Sequence, residues 1–337
     1  GFVNAVLRAL AAGRQNISLP DPAQDLAGHL AVAQSHPRWL VERWLAELGP
    51  EETVRRLEAD NSPPGLTLRA YTPAGGRAAL LARLKEAGLE AEPGLYSPQA
   101  ILVKGVSVAQ LEKLAPGQFV AQSEASQLVA LVLAPEPGWR VADMCAGVGG
   151  KTGHLAELMA GQGQIVALEK DPDRARAGQE AMTRLGLKGV EFFQADAFDP
   201  DLEMLAKGPL EAVLIDAPCT CSGVLRSRPD VRWRLKPDDP GRMSLVQRAL
   251  LRAGAERLGP SGALVYATCS LFEEENQEVV AGFLAERPEF EVQDPSPWLP
   301  PGLRPLVDSQ GFVITRPEGH GLDGFFVARL VKTAARP

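Results

Sequence analysis

Two cysteines that could act as nucleophiles follow two different predicted strands. Cys219 ends the sequence Asp-Ala-Pro-Cys at positions 216–219, and Cys269 is the centre of Thr-Cys-Ser at 268–270. In open α/β sheets, ligands bind beyond the carboxyl ends of the strands, so the two thiols can face one pocket. A free cysteine is also commonly a small, buried apolar side chain. The positions alone leave a reactive pair and an inert pair open.

A metal site is the other chemistry that cysteines can support. Cys219 and Cys221 are separated by one residue, which is not the usual spacing of a zinc-binding pair, and no histidine is near them in sequence. We therefore predict that this segment holds no metal.

A glycine-rich segment predicts a cofactor loop. It follows the predicted strand 140–144 and precedes helix-compatible sequence. Glycines let the backbone approach a ligand closely, and the first turn of a helix offers free amides. It is not a P-loop, because that motif requires a glycine at the position of Ala146. The predicted loop residues are Cys145, Ala146, Gly147, Val148, Gly149, Gly150 and Lys151.

Two acidic residues follow the next predicted strands, 164–168 and 190–194. Glu169 is suitably placed to bind the hydroxyls of a ribose. Asp196 could accept a hydrogen bond from an adenine amino group. Each acid alone could instead cap a helix or lie in a solvated loop. Together with the glycine-rich loop, they favour a nucleoside-containing cofactor.

Changes of pattern along the chain predict three segments: 1–60, 61–119 and 120–337. Helical periodicity dominates the first, and Gly49-Pro50 is a predicted helix end. After a breaker cluster at 61–65, strand-like runs at 66–71 and 99–103 flank a predicted helix at 75–88, which indicates a small α+β domain. From 120 onward strands and helices alternate, which predicts an α/β, doubly wound, mainly parallel sheet. Further predicted strands are 212–215, 263–266 and an antiparallel edge strand at 325–330.

Composition limits the setting and the partners. The 337 residues include four cysteines and carry a net charge of −7. No apolar run reaches the length of a membrane span and no secretory leader opens the chain, so we predict a cytoplasmic protein. An acidic chain needs a local basic patch to bind nucleic acid. The candidate patch surrounds Trp233, and its alternative is an ordinary solvated loop. Its members are Arg226, Arg228, Arg232 and Arg234.

Three motifs together resemble one enzyme family. The sequences at 216–219 and 268–270 are similar to motifs IV and VI of the RNA cytosine-C5 methyltransferases, the Fmu/NOL1/NOP2/Sun family, and 145–151 is similar to their motif I. Segments 2–8 and 35–41 resemble the last NusB-like helix and the following linker of bacterial members that act on 16S ribosomal RNA. Two departures are that Gly147 and Val148 replace the family's Ala-Pro, and that most of the NusB-like domain is missing.

The resemblance implies a seven-stranded Rossmann-like methyltransferase sheet, S-adenosylmethionine as cofactor, RNA as partner and a monomer. It implies Cys269 as the nucleophile that attacks carbon 6 of cytosine and Cys219 as the group that assists release. Asp216 would bond the N3 edge of cytosine, and Lys151 would stabilise charge near the reacting centre. Family members carry small residues at the position of Cys221, which we therefore expect to be dispensable. The small domain and the arginines would contact RNA.

Four alternatives remain open at this point. A DNA cytosine methyltransferase would use Cys219 as its nucleophile and would not need Cys269. A tRNA cytosine-C5 methyltransferase is the second alternative. A ribosome assembly factor without catalysis and a small-molecule methyltransferase are the other two, and the intact motifs and the extra domain argue against them.

Overall fold

The protein is described from a computed structural model that covers residues 1–13, 18–199 and 208–333. Three helices come first: α1 (Phe2–Ala12), α2 (Leu26–Ala33) and α3 (Arg38–Asp60). Gly49 interrupts α3 with φ 77° and ψ 170°, and Pro50 follows it. The predicted break at this pair is confirmed, although the chain returns to helix at once. A left-handed φ of this kind is easily reached by glycine.

A small antiparallel sheet follows. Its elements are β1 (Leu66–Ala70), α4 (Gly76–Glu86), β2 (Ala91–Pro93), β3 (Ala100–Val103), α5 (Val108–Leu114) and β4 (Phe119–Ala121). The strand order is β2-β3-β1-β4. A buried apolar cluster between the sheet and its two helices includes Leu68, Leu80 and Ile101. The strand and helix predictions at 66–71, 75–88 and 99–103 are confirmed. The strands β2 and β4, at three residues each, are too short to leave a pattern.

The large sheet has eight strands among the described residues. Its strands are β5 (Arg140–Asp143), β6 (Gln164–Glu169), β7 (Val190–Gln194), β8 (Leu210–Asp216), β9 (Leu258–Thr268), β10 (Phe290–Val292), β11 (Val313–Thr315) and β12 (Phe325–Lys332). The order is β10-β12-β9-β8-β5-β6-β7, with β11 also paired to β12. Strands β5 to β9 pair in parallel, and β10 to β12 pair antiparallel.

Helices cover both faces of this sheet, as parallel strands require. They are α6 (Glu124–Leu133), α7 (Gly150–Leu158), α8 (Pro172–Arg184), α10 (Asp239–Arg257) and α11 (Gln277–Glu286). Two four-residue helices, α9 (Val231–Arg234) and α12 (Pro317–His320), pack against α3. Alternate residues of the central strands enter opposite layers. Leu214 packs with α6 and α7, whereas Val213 and Ile215 pack with α10 and α11.

The doubly wound α/β architecture is confirmed, with one strand more than predicted. One detail is corrected: the segment at 325–330 does form an antiparallel strand, but it is not at an edge. Strand β12 lies between β9 and β10. Its nearly continuous apolar sequence fits that interior position, because both faces of the strand are covered.

Candidate active site

A buried carboxylate anchors the predicted cofactor loop to the end of strand β5. Asp143 is the last residue of β5 and is 1% exposed. It accepts hydrogen bonds from the Thr152 hydroxyl (2.7 Å) and from the Cys145 amide (3.4 Å). Burial raises its pKa to about 6. These bonds join the end of the strand to the first turn of α7. Asp143 was not among the sequence predictions, because an aspartate at a strand end has several ordinary roles.

The glycines of the loop have two different functions. Gly147 has φ 56°, and a Cβ there would meet no atom within 4 Å, so it faces open space. Gly149 has φ 85°, and a Cβ there would lie 2.9 Å from Met182 and 3.0 Å from Phe192. Gly149 therefore allows the loop to pack closely on α8 and β7, and it lines neither of the two cavities described below.

A cavity of about 410 Å³ lies beside this loop. Glu169 lines it and is 6% exposed. Its carboxylate accepts from the Gly147 amide (2.9 Å) and the Asp171 amide (2.8 Å) and pairs with Arg174 (2.8 Å). Glu169, which is predicted to bind a ribose, thus also holds the loop at Gly147 in place.

Asp196 lines the same cavity at its more open side. Its carboxylate accepts from Lys170 (2.8 Å) and from the Phe198 amide (3.1 Å), and the Lys170 hydrogen bond lowers its pKa. Phe198 is 45% exposed and also lines the cavity. An apolar ring, a glycine backbone and two carboxylates are a chemically suitable set for a nucleoside.

A second cavity of about 520 Å³ adjoins the first. The residues that line both are Cys145, Gly147, Asp216 and Pro218. Ala146, Val148, Gly150 and Lys151 line the second cavity alone. A ligand in one cavity therefore lies against a ligand in the other, with Asp216 between them. Lys151 donates to Asp216 at 2.6 Å, and neither side chain is more than about a third exposed.

Three sulfurs meet in the second cavity. Cys219 follows β8 and Cys269 follows β9, and the parallel register pairs Asp216 with Ala267. This register brings the two Sγ atoms to 3.3 Å. Cys221 completes a group whose three Sγ atoms all lie within 4.8 Å of one another. The Gly223 amide donates to the Cys269 carbonyl at 2.9 Å and joins the two loops.

The thiols share their protons. Hydrogen bonds from Cys219 and Cys269 lower the pKa of Cys221, and Arg228 and Arg234 act in the same direction. Hydrogen bonding to Cys221 and Cys269, together with burial, raises the pKa of Cys219. The pKa of Cys269 is also raised: its bond with Cys219 lowers it, but its bond with Cys221 and its burial outweigh that. Ionisation of such a group belongs to the cluster as a whole.

A buried glutamate joins the two cysteine loops. Glu275 is 0% exposed and accepts from the Thr220 amide (2.9 Å) and the Gln247 amide (3.0 Å). It also accepts from the Ser270 hydroxyl (2.5 Å) and from the Thr220 hydroxyl. Asn276 donates to the Ser270 carbonyl at 2.9 Å. These residues position Cys219 and Cys269. The sequence did not point to these residues, because a run of glutamates before a helix usually lies in solvent.

Comparisons with known proteins agree with this geometry. A family model described as 16S rRNA methyltransferase RsmB/F matches residues 130–331. A ribosomal RNA small subunit methyltransferase B of Pseudomonas putida is 36% identical over 99% of this chain and 74% of its own length. A probable enzyme of the same name from Bacillus subtilis is 35% identical over 98% of this chain and 73% of its own.

The chain belongs to the RsmB/F methyltransferase family. A model described as the ferredoxin-like domain of RsmF/B-like methyltransferases matches residues 36–109. A solved methyltransferase homolog from Pyrococcus horikoshii covers 93% of this chain and 100% of its own, at 27% identity and a TM-score of 0.76. The predicted family is thereby confirmed.

Helices α2 and α3 of this RsmB/F chain pack on the cysteine loops. Leu40 and Trp44 of α3 form one buried cluster with Leu225, Val231 and Phe272. Leu225 and Val231 follow Cys219, and Phe272 follows Cys269. The helices therefore brace the loops of the candidate active site from outside.

Two of the four arginines predicted to contact RNA are exposed. Arg228 is exposed and lines the cavity of the cysteines. Arg234 is exposed and pairs with Asp230 at 2.6 Å. Trp233 between them is 60% exposed. Side chains of this kind are available to phosphates and bases.

The other two arginines are structural. Arg232 is 3% exposed and donates to Asn61 Oδ1 (2.7 Å), the Asp60 carbonyl (3.0 Å) and the Ser35 carbonyl (3.1 Å). This contradicts the prediction that Arg232 contacts RNA, because its guanidinium joins α9 to the end of α3. Arg226 is largely buried and donates to the Gly321 carbonyl at 2.9 Å.

In the described ranges, 1–13, 18–199 and 208–333, no helix combines the length and the apolar content that a membrane crossing needs.

Proposed function

We propose that this chain methylates carbon 5 of cytosine in small-subunit ribosomal RNA, with S-adenosylmethionine as methyl donor and Cys269 as covalent nucleophile. The observation that carries the proposal is the contact of 3.3 Å between Cys219 and Cys269 in a cavity that Asp216 shares with the cofactor loop. Two thiols are needed when one forms the adduct and the other assists its release. The names of the family and of the relatives support the choice of substrate.

The donor fits the smaller cavity. The residues proposed to hold it are Gly147, Glu169, Asp196 and Asp216, which line that cavity together. A carboxylate on β6 suits a ribose, and an acceptor after β7 suits an adenine amino group. When bound, S-adenosylmethionine supplies the electrophilic methyl group that carbon 5 attacks.

The two cysteines and Asp216 would then each carry out a separate step on the cytosine base. The Cys269 thiolate gives its electron pair to carbon 6, and a proton moves from Asp216 to N3, so carbon 5 becomes nucleophilic. After methylation, Cys219 loses its own proton to solvent and, as a thiolate, removes the proton from carbon 5. The carbon–sulfur bond breaks, Cys269 leaves as thiolate, and N3 returns its proton to Asp216. Lys151, which lies 2.6 Å from Asp216, stabilises negative charge on the ring.

Proton sharing prepares the nucleophile. The Cys219 thiol lies 3.3 Å from Cys269 and can donate a hydrogen bond to its thiolate, and Arg228 faces the same cavity. The base reaches this cavity only when it leaves its stack or lies in an open loop.

We also propose that the three predicted segments, 1–60, 61–119 and 120–337, are functional units, the first two of which contact RNA. A groove of about 240 Å³ supports this for the segment 61–119. Thr67 and Leu102 of the small sheet line it together with Asp323, which also lines the cysteine cavity. Nucleotides next to the target would lie in this groove. Arg228, which lines the cysteine cavity, and the exposed Arg234 would contact phosphates.

The proposal is tested by identifying the product. Small-subunit ribosomal RNA from a strain that lacks the gene is incubated with the protein and a methyl donor, and its nucleosides are separated. We expect 5-methylcytidine to appear, and none with the Cys269→Ala variant. Methylation of another base, or of DNA or tRNA in preference to ribosomal RNA, would refute the proposal, and absence of any methyl transfer would favour a non-catalytic assembly factor.

A further inference from the structure

The third thiol of the cluster is not used by the proposed reaction. Cys221 has φ 59° and begins a short helical turn, a left-handed conformation that is uncommon for a residue with a side chain. It lies on the loop after β8, and its Sγ is 3.6 Å from the Cys219 carbonyl. The chain thus places a third sulfur beside the two that the reaction needs.

We propose that Cys219, Cys221 and Cys269 form a binding site for a thiophilic d¹⁰ metal ion such as Zn²⁺, and that occupancy of this site blocks methyl transfer. The inhibitory part of this proposal rests on the proposed function, because it takes Cys269 as the nucleophile. The prediction of no metal from sequence considered the spacing of Cys219 and Cys221, whereas the third ligand comes from a different strand 48 residues further along the chain (269 − 221).

The distances fit such an ion. Zinc–sulfur bonds of about 2.3 Å at tetrahedral angles separate neighbouring sulfurs by about 3.8 Å. The three Sγ atoms lie within 4.8 Å of one another, and those of Cys219 and Cys269 are 3.3 Å apart. Shifts of about 0.5 Å would reach the geometry of a bound ion. The cavity leaves room for water as the fourth ligand.

The charge balance also fits. Binding forms three metal–sulfur bonds and releases the thiol protons to solvent, so a divalent ion and three thiolates carry a net charge of −1. Lys151 and Arg228 line the same cavity and are compatible with that charge. Proton release further requires that affinity rises with pH.

The test measures metal binding without RNA or methyl donor. Zn²⁺ is titrated into the reduced, metal-free protein by calorimetry, and Cd²⁺ is titrated with ultraviolet detection of thiolate-to-metal charge transfer. We expect one ion per chain. Cys221→Ser should weaken binding by about 100-fold, as should Cys219→Ser and Cys269→Ser. Cys145→Ser is the matched control, because the fourth cysteine lies outside the cluster, and it should leave metal affinity unchanged.

A second measurement tests the inhibition. Zn²⁺ should stop methyl transfer by the wild-type protein, a chelator should restore it, and Cys221→Ser should make the enzyme resistant. Absence of stoichiometric binding, or binding that is equally tight in Cys221→Ser, would overturn the site. Binding with the expected cysteine dependence but full activity would overturn the inhibition. A failure of the proposed function would be seen separately: the chelator-treated, metal-free enzyme would not methylate RNA, whereas the binding titration would give the same result.

Discussion

Replacement of Asp143 by asparagine is expected to remove a loss of folding stability that the wild-type protein suffers as the pH rises. Asp143 is 1% exposed, and burial raises its pKa from 3.8 to about 6. This shift of about two units corresponds to about 3 kcal/mol. The folded state binds this proton more tightly than the unfolded state does. The contribution to stability is therefore complete below pH 3.8 and is lost as the pH rises to about 6.

Asparagine has the size of aspartate and no charge to ionise. Its carbonyl can accept from the Cys145 amide, and its amino group can donate to the Thr152 hydroxyl after that hydroxyl rotates. Relative to the wild type, Asp143→Asn should therefore gain stability with rising pH. Of the total change of about 3 kcal/mol in the difference between their free energies of unfolding, about 2 kcal/mol develops between about pH 4.5 and about pH 7.5.

The assay is urea unfolding followed by circular dichroism at those two pH values. Asp238→Asn is the matched control: it lies at the start of α10, is exposed and makes no side-chain capping hydrogen bond. We expect its effect on the free energy of unfolding to be nearly the same at both pH values. A stability difference between Asp143→Asn and the wild type that does not change with pH would refute the account of Asp143.

The other predictions concern the cofactor, the third cysteine and RNA. Glu169→Ala should weaken binding of S-adenosylmethionine by about 1–3 kcal/mol in calorimetry, because the loop amides and the ribose lose a buried acceptor. The control Glu191→Ala, at an exposed residue, should leave this affinity unchanged. Unchanged affinity for Glu169→Ala would show that Glu169 is not part of the cofactor site. Cys221→Ala should keep near-normal methyl transfer in metal-free buffer, and a loss as large as that from removal of the nucleophile would contradict this. Joint replacement of Arg228 and Arg234 by alanine should flatten the log–log salt dependence of RNA binding by about 1.4, with cofactor affinity unchanged; an unaltered slope would make them an ordinary solvated loop.

The alternating part of the fold was accessible from sequence because parallel strands have strong local signals. The prediction at 190–194 matches β7 residue for residue, and the loop at 145–151 lies where the motif required it. The meeting of Cys219 and Cys269 was also predictable, since residues that follow neighbouring parallel strands share one edge of the sheet.

Other features depend on contacts between distant residues. The position of β12 inside the sheet depends on the pairing of β10, a strand of three residues without a pattern of its own. Arg232 looks like a solvent-facing member of a basic run, but Asn61 and its neighbours, about 170 residues earlier, bind its guanidinium. Glu275 is similar: its partners lie on two loops that only the folded chain brings together.

The measurement that tests the central claim most directly is the trapping of a covalent complex between protein and RNA. Wild type, Cys219→Ala and Cys269→Ala are incubated with substrate RNA and methyl donor and then separated under denaturing conditions. Cys219→Ala should stall after methyl transfer and accumulate the complex, whereas Cys269→Ala should form none and show no turnover. The double variant is the control and should form none. A complex that accumulates with Cys269→Ala and is absent with Cys219→Ala would make Cys219 the nucleophile and contradict the account.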